Sequence, residues 1–435
     1  MCGPPLPSRI HAGSIGRPWG FVMPFAVYVL GLAVFAQGTS EFMLSGLLSD
    51  IAADLHVSVP TAGLSTSAFA IGMVIGAPAM ALLSRDRPRR RALLLFLGVF
   101  VAVHVVGALT PNYPILLATR VVGALANAGF WAVALVTAID LAGPERRARA
   151  TSVVVGGVTL ACVVGVPAGA LLGTWWGWRA AFWAVALVSL PALFAIARTV
   201  PERATGPEKA GTAGDTTDPE GAAGADGLGD AVGARRELRA LATPSLLLTL
   251  VLSALVQGAT FGSFAYLEPV VTEVTGLGDG WVPVTLALFG VGSFVGVTIA
   301  GRIVDARPNT LITVGAAALA LGWAVLALTA DRPAALIALV PIQGMLAFGT
   351  GTALITRVLR LAPAGSALAG AAATAAFNVG AALGPWLGGL AIDADLGYRA
   401  PLWVSTALML AAVTVATVTL RCTKAPEISQ AHQHT

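Results

Sequence analysis

Apolar stretches of membrane-crossing length recur along this chain, at 24–48, 61–84, 92–110, 114–141, 151–175 and 180–200, then at 244–268, 283–303, 310–330, 334–356, 366–392 and 400–420. That pattern constrains the fold more than any single motif. Each stretch is long enough to cross a roughly 30 Å hydrocarbon core at about 1.5 Å per residue. In lipid the backbone must satisfy its own hydrogen bonds, which leaves helices or a closed barrel. The short alternating segments of a barrel are not seen. With 56% hydrophobic and 11% charged residues, against about 25% charged in soluble domains, the chain reads as an all-α membrane protein with twelve transmembrane helices.

The basic residues orient the spans. With the N-terminus inside, all but four of the 26 Lys and Arg fall on the cytoplasmic side; Arg179, Arg332 and Arg399 lie outside and Arg120 lies within span four. Both termini are then cytoplasmic. The basic pI of about 9.3 follows from topology, and no nucleic-acid partner is expected. Residues 1–22 are polar and lack an apolar core, so a disordered cytoplasmic tail is expected rather than a cleaved signal, with Met23 as an alternative start. Residues 201–243, rich in Gly, Ala, Asp, Thr and Pro, read as a cytoplasmic linker that ends in a short basic helix at 234–239. A tail is expected at 422–435. Cys2, Cys162 and Cys422 offer neither a disulfide framework nor metal-ligand spacing.

An internal repeat divides the spans into halves. Gly177-Trp178-Arg179-Ala180 with Trp183 recurs as Gly397-Tyr398-Arg399-Ala400 with Trp403, and Gln37-Gly38 recurs as Gln257-Gly258, both at an offset of 220. Matches in equivalent spans and loops imply two pseudo-symmetric six-helix bundles, 23–200 and 244–421, with a binding site at their interface.

Glu41 stands inside span one, where an acid costs roughly 2.5 kcal/mol or more at the bilayer centre and is functional by default. Gln37, Glu41 and Ser45 follow helical spacing, so one face of span one should line the cavity. The repeat mate of Glu41 is Phe261, which confines any carboxylate switch to the first half. The cavity set is completed by Asn127, Gln257, Phe261, Phe264, Gln343 and Asn378, and packing between helices explains Gln257, Phe261, Phe264 and Gln343 equally well. Counted from the span ends, Glu41 and Arg120 both lie roughly 10 Å below the outer surface. His104 in span three reads as a packed neutral histidine in preference to a proton relay, and Asp140 and Glu268 read as interfacial. Gly290-Val291-Gly292 lies mid-span without a preceding strand. No Walker lysine motif or His-Glu-x-x-His is found, so ATP-driven and enzymatic chemistry have no residues to carry them.

The twelve spans, the long central loop, the repeat and Gly38-Thr39-Ser40-Glu41-Phe42-Met43 resemble the drug:proton antiporter branch of the major facilitator superfamily. The segments 120–130 and 165–175 are similar to those of actinobacterial chloramphenicol exporters. The resemblance implies a charge-relay role for Arg120 and places an antiporter motif at Gly165, Pro167 and Gly169. Span eleven carries a closer copy at Gly380, Gly384, Pro385, Gly388 and Gly389, which close packing alone explains. Gating loops are implied at Asp86 and Arg90 after span two, where the usual glycines are missing, and at Gly301 and Asp305 after span eight.

By resemblance, the function expected is export of chloramphenicol or a related small drug in exchange for protons. Glu41 takes up a proton from outside and loosens its attraction to Arg120. The setting implied is a multi-pass protein of the inner (plasma) membrane, monomeric, embedded in the lipid bilayer, with no cofactor or metal. The same motifs also suit an exporter of a sugar, nucleoside or other metabolite; a membrane-embedded enzyme or scaffold is the remaining alternative.

Overall fold

The structure, a computed structural model, describes residues 23–84, 87–202, 243–304, 306, 308–362 and 367–431. The expected tail 1–22, most of the linker with its basic helix, and the gating residues Asp86 and Asp305 lie outside the described residues.

Among the described residues, twelve helices are long and apolar enough to cross a membrane: Phe25–Gly46, Val59–Met80, Arg89–Leu109, Tyr113–Ala142, Pro144–Trp176 and Trp178–Thr199, then Pro244–Ala265, Trp281–Ile303, Pro308–Thr329, Pro333–Leu361, Ala369–Leu396 and Ala400–Thr417. They are spans one to twelve in order. Pro114, Pro244 and Pro333 open their helices in the first turn, where a missing N–H breaks no intrahelical bond. Span five begins before its apolar run. Arg146, Arg147 and Arg149, expected in a loop, lie in its first turns. The last helix continues to Ala431, past the apolar window that ends at Thr417.

The repeat has a visible physical cause. Gly177 and Gly397 turn the chain between spans five and six and between spans eleven and twelve with φ of +79° and +72°, a region that favours glycine. The arginine two residues on then ties each turn to a neighbouring hairpin. Arg179 pairs with Asp54 and donates to the Thr110 carbonyl at 3.1 Å, while Arg399 pairs with Asp331 at 3.3 Å.

Each half has its own apolar core, one built around Leu30, Leu44, Phe100 and Phe182, the other around Val256, Leu319, Trp323 and Leu354. Phe194, Leu321 and Leu328 are 61%, 67% and 63% exposed, as suits a surface solvated by lipid. Within the second half, a side chain at Gly380 or Gly384 would strike the carbonyl oxygen of Ala254 or Gly258. The glycines of span eleven thus let it lie directly on span seven. Spans one and five repeat this arrangement, with Gly157 against the Gly31 carbonyl and Gly165 against Thr39.

The halves are joined toward one end of the bundle, the end opposite the arginine clusters. There Ser49 N–H donates to Glu268 Oε2 at 3.0 Å, and Ser67 Oγ donates to the Ala382 carbonyl at 2.7 Å. Tyr266 of the second half is buried in the first half's core. Its hydroxyl donates to the Pro385 carbonyl at 2.9 Å and fills the space that a side chain on Gly63 would need. Deeper in, Gly290 of span eight abuts Cys162 of span five.

Candidate functional site

The site begins with a defect in helical order. Span one is α-helical only to Phe42 and tightens to a 3-10 turn over Met43–Gly46. Ser45 is therefore rotated off the stripe that Gln37 and Glu41 share, since 3-10 geometry turns about 120° per residue. Across from it, span five carries a π turn at Ala161–Gly165, which includes the first residue of the Gly165-Val166-Pro167 segment. Pro167 lies in the first turn of the helix that follows. Gly169 faces Met43. The expected antiporter segment therefore lies along the part of span one that holds Thr39 to Met43.

Arg120 is 2% exposed, and its partner is not the carboxylate expected from depth alone. Its Nη1 donates to Ser40 Oγ and its Nη2 to the Ser40 carbonyl, both at 2.9 Å. Its guanidinium carbon lies 4.4 Å from the centre of the Phe69 ring. Glu41, half-buried, makes no hydrogen bond or ion pair among the described residues, with Arg120 or any other group. The direct attraction expected between the two is thus replaced by a contact through the neighbouring serine. The reason is geometric: one serine offers two acceptors to the planar guanidinium fork.

His104 completes the cluster. Its Nδ1 lies 2.7 Å from the Phe100 carbonyl and its Nε2 lies 2.6 Å from Ser40 Oγ. A carbonyl only accepts, so Nδ1 carries the proton. In the neutral ring Nε2 then accepts from the serine hydroxyl, which leaves the lone pairs of Oγ to Arg120. The sequence contained all three residues but no signal that they meet.

The other expected cavity residues divide. Gln37 and Asn127 are fully buried, and neither amide finds a partner among the described residues. Asn127 follows Arg120 by two helical turns and lies on the same face of span four. Gln343 lies instead between spans nine and ten, its Nε2 3.4 Å from the Leu319 carbonyl and its Oε1 against Gly322. Gln257 is half-buried. Asn378 donates to the Thr374 carbonyl of its own helix at 2.9 Å. Phe261 and Phe264 belong to a run of rings that spans the two halves. Centroid separations are 5.5 Å from Phe42 to Phe261, 6.3 Å to Phe264, 4.6 Å to Phe289 and 6.2 Å to Phe348.

At the loop after span two, Arg89 pairs with Asp140, and Arg91 pairs with Glu202 at 2.6 Å. The first pair stays within the first half and the second reaches the start of the linker; neither touches the second half. Arg90, the arginine expected to gate, is half-buried and makes no ion pair among the described residues. Gly301 has open space where a side chain would sit.

The closed end holds a second feature the sequence did not announce, a cavity of about 520 Å³ lined by Asp50, Asp54, Glu268, Glu273, Asp279 and Arg179. Burial pushes the Glu268 carboxyl above its ordinary range, against the Ser49 hydrogen bond, and the charges of Asp50 and Asp279 add to the rise. Asp50 is raised by burial and by Asp279. Glu268 is therefore a cross-half contact and not merely interfacial.

Two pseudo-symmetric halves of six helices, closed at one end over buried polar groups on spans one, three and four, define a secondary transporter. Residues 30–370 match the family model of the Major Facilitator Superfamily, and the chain belongs to that family. It is 51% identical over 91% of its length to a chloramphenicol resistance protein of Streptomyces lividans, of which it covers 96%. It is 31% identical over 86% of its length to the inner membrane transport protein YdhP of Escherichia coli K12, covering 90% of it. Among solved structures it resembles a D-xylose-proton symporter, with a TM-score of 0.68 at 16% identity over 90% of this chain and 97% of that one. A bacterial homologue of the human lysosomal transporter Spinster gives 0.67 at 18%, over 91% and 94%.

Proposed function

We propose that this chain is a proton-coupled antiporter that exports chloramphenicol or a closely related small drug by alternating access and so confers resistance. The 51% identity to the Streptomyces lividans chloramphenicol resistance protein carries the reading. The physical setting agrees with it. A neutral drug with an aromatic ring suits surroundings with few fixed charges, which the phenyl rings of Phe42, Phe261 and Phe264 and the amides of Gln37 and Asn127, unpartnered among the described residues, would supply.

Glu41 is the proton carrier and Arg120 its charge partner. The chain acts as a monomer in the plasma membrane, with both termini and the linker cytoplasmic, because the arginine-rich ends belong inside. Residues 23–200 and 244–421 rock against each other, and the closed acidic end then faces outward.

Expression in a susceptible host tests the reading. Chloramphenicol tolerance should rise with the gene and fall to the host's level with Glu41→Gln. Tolerance that stays at the host's level with the intact gene would direct attention to a metabolite cargo.

A further inference from the structure

We propose that His104, acting through Ser40, is a positioning residue that holds Arg120 in place beside Glu41 and thereby sets the pH at which transport responds to protons. The inference rests on the proton-coupled reading above.

Hydrogen-bond polarity fixes the arrangement. Ser40 Oγ lies between a cation that only donates and an imidazole nitrogen, at 2.9 Å and 2.6 Å. Were the hydroxyl proton turned toward Arg120, donor would face donor. His104 prevents this by accepting that proton at Nε2, and it accepts because the Phe100 carbonyl, 2.7 Å away, claims the proton on Nδ1. The imidazole is itself fixed between rings, 4.1 Å from the centre of Phe100 and 5.7 Å from that of Phe182. Four groups on three helices thus fix one serine lone pair, and Ser40 adjoins Glu41 in the chain. The charged or titratable groups that face the cluster are Arg120 on span four, Glu41 on span one and Cys162 on span five. Spans two and six add only the Phe69 and Phe182 rings.

Removing the acceptor frees the serine hydroxyl to rotate and loosens the guanidinium. A cation held less firmly does less to keep the adjacent carboxylate ionised. The step needs no proton on His104.

The test combines transport with spectroscopy. In everted vesicles, His104→Leu and Ser40→Ala should each slow chloramphenicol uptake at neutral pH by about tenfold, the worth of one hydrogen bond to a charged group. Each should also move the half-maximal point to higher pH. The double variant should be no worse than either alone, and His104→Gln, whose Oε1 accepts from Ser40, should restore the wild-type profile. A wild-type pH profile in His104→Leu, or additive losses in the double variant, would overturn the inference. Nitrogen-15 histidine spectra of the purified full chain supply an arm that needs no substrate. The resonance that disappears in His104→Gln should report a neutral ring protonated at Nδ1 across neutral pH; a protonated ring or the other tautomer overturns the geometry even if the leucine variant fails to fold. If the wild-type protein moves no chloramphenicol, the proposed function fails, while the spectra still decide this inference.

Discussion

At the scale of single residues, the charge that matters most is the one without a carboxylate in hydrogen-bonding reach. Burying a guanidinium costs several kcal/mol unless its donors are met, and here one serine meets two of them. Arg120→Lys removes the fork that reaches Oγ and carbonyl together. Since hydrogen bonds to charged groups contribute about 1.5–3 kcal/mol, drug efflux should fall at least about tenfold in a cell-based assay, although the charge is kept. Glu41→Gln should abolish pH-driven uptake into everted vesicles; uptake equal to wild type would remove Glu41 from the mechanism. The sequence exposed Glu41 and Arg120 because a charge in an apolar run is conspicuous. It did not expose Ser40 or the engaged state of His104, because a serine in a helix looks alike whether it bonds its own backbone or a residue 64 positions away.

At the scale of helices, the spans were readable from hydropathy to within a few residues, except where a polar first turn extends the helix, as at Arg146 to Arg149. The non-α turns were not readable, since Met43–Gly46 and Ala161–Gly165 contain nothing that separates them from neighbouring helix. Glycine shows the same division. Gly384 meets the Gly258 carbonyl, whereas Gly301 meets nothing within 4 Å. Gly384→Ala should therefore destabilise the second half by about 1–3 kcal/mol, the usual cost of overpacking, and lower the melting temperature in detergent. Gly301→Ala should leave that temperature unchanged. Equal melting of the two variants would show that spans seven and eleven can separate freely.

At the scale of the whole molecule, the closed end responds to acid. Glu268 holds its proton more tightly here than a carboxyl in water, because it is buried and faces Asp50 and Asp279. A carboxyl raised in the closed state and ordinary in the open one favours closure most at low pH and withdraws that support as pH rises through its raised value. Labels at Thr174 and Thr272, which line the acidic cavity from opposite halves, should show the short separation gaining population on acidification. Glu268→Gln should keep it populated at neutral pH and flatten the response. A distance distribution that ignores both pH and the substitution would remove Glu268 from control of this end.

Among the described residues, a single pair of stacked rings, Phe42 on Phe261, crosses between the halves. Such a pair contributes about 0.5–1.5 kcal/mol beyond its buried area, which is comparable to thermal agitation. Moving the halves apart therefore sacrifices little aromatic stacking, and this rung sets almost no resistance to the motion.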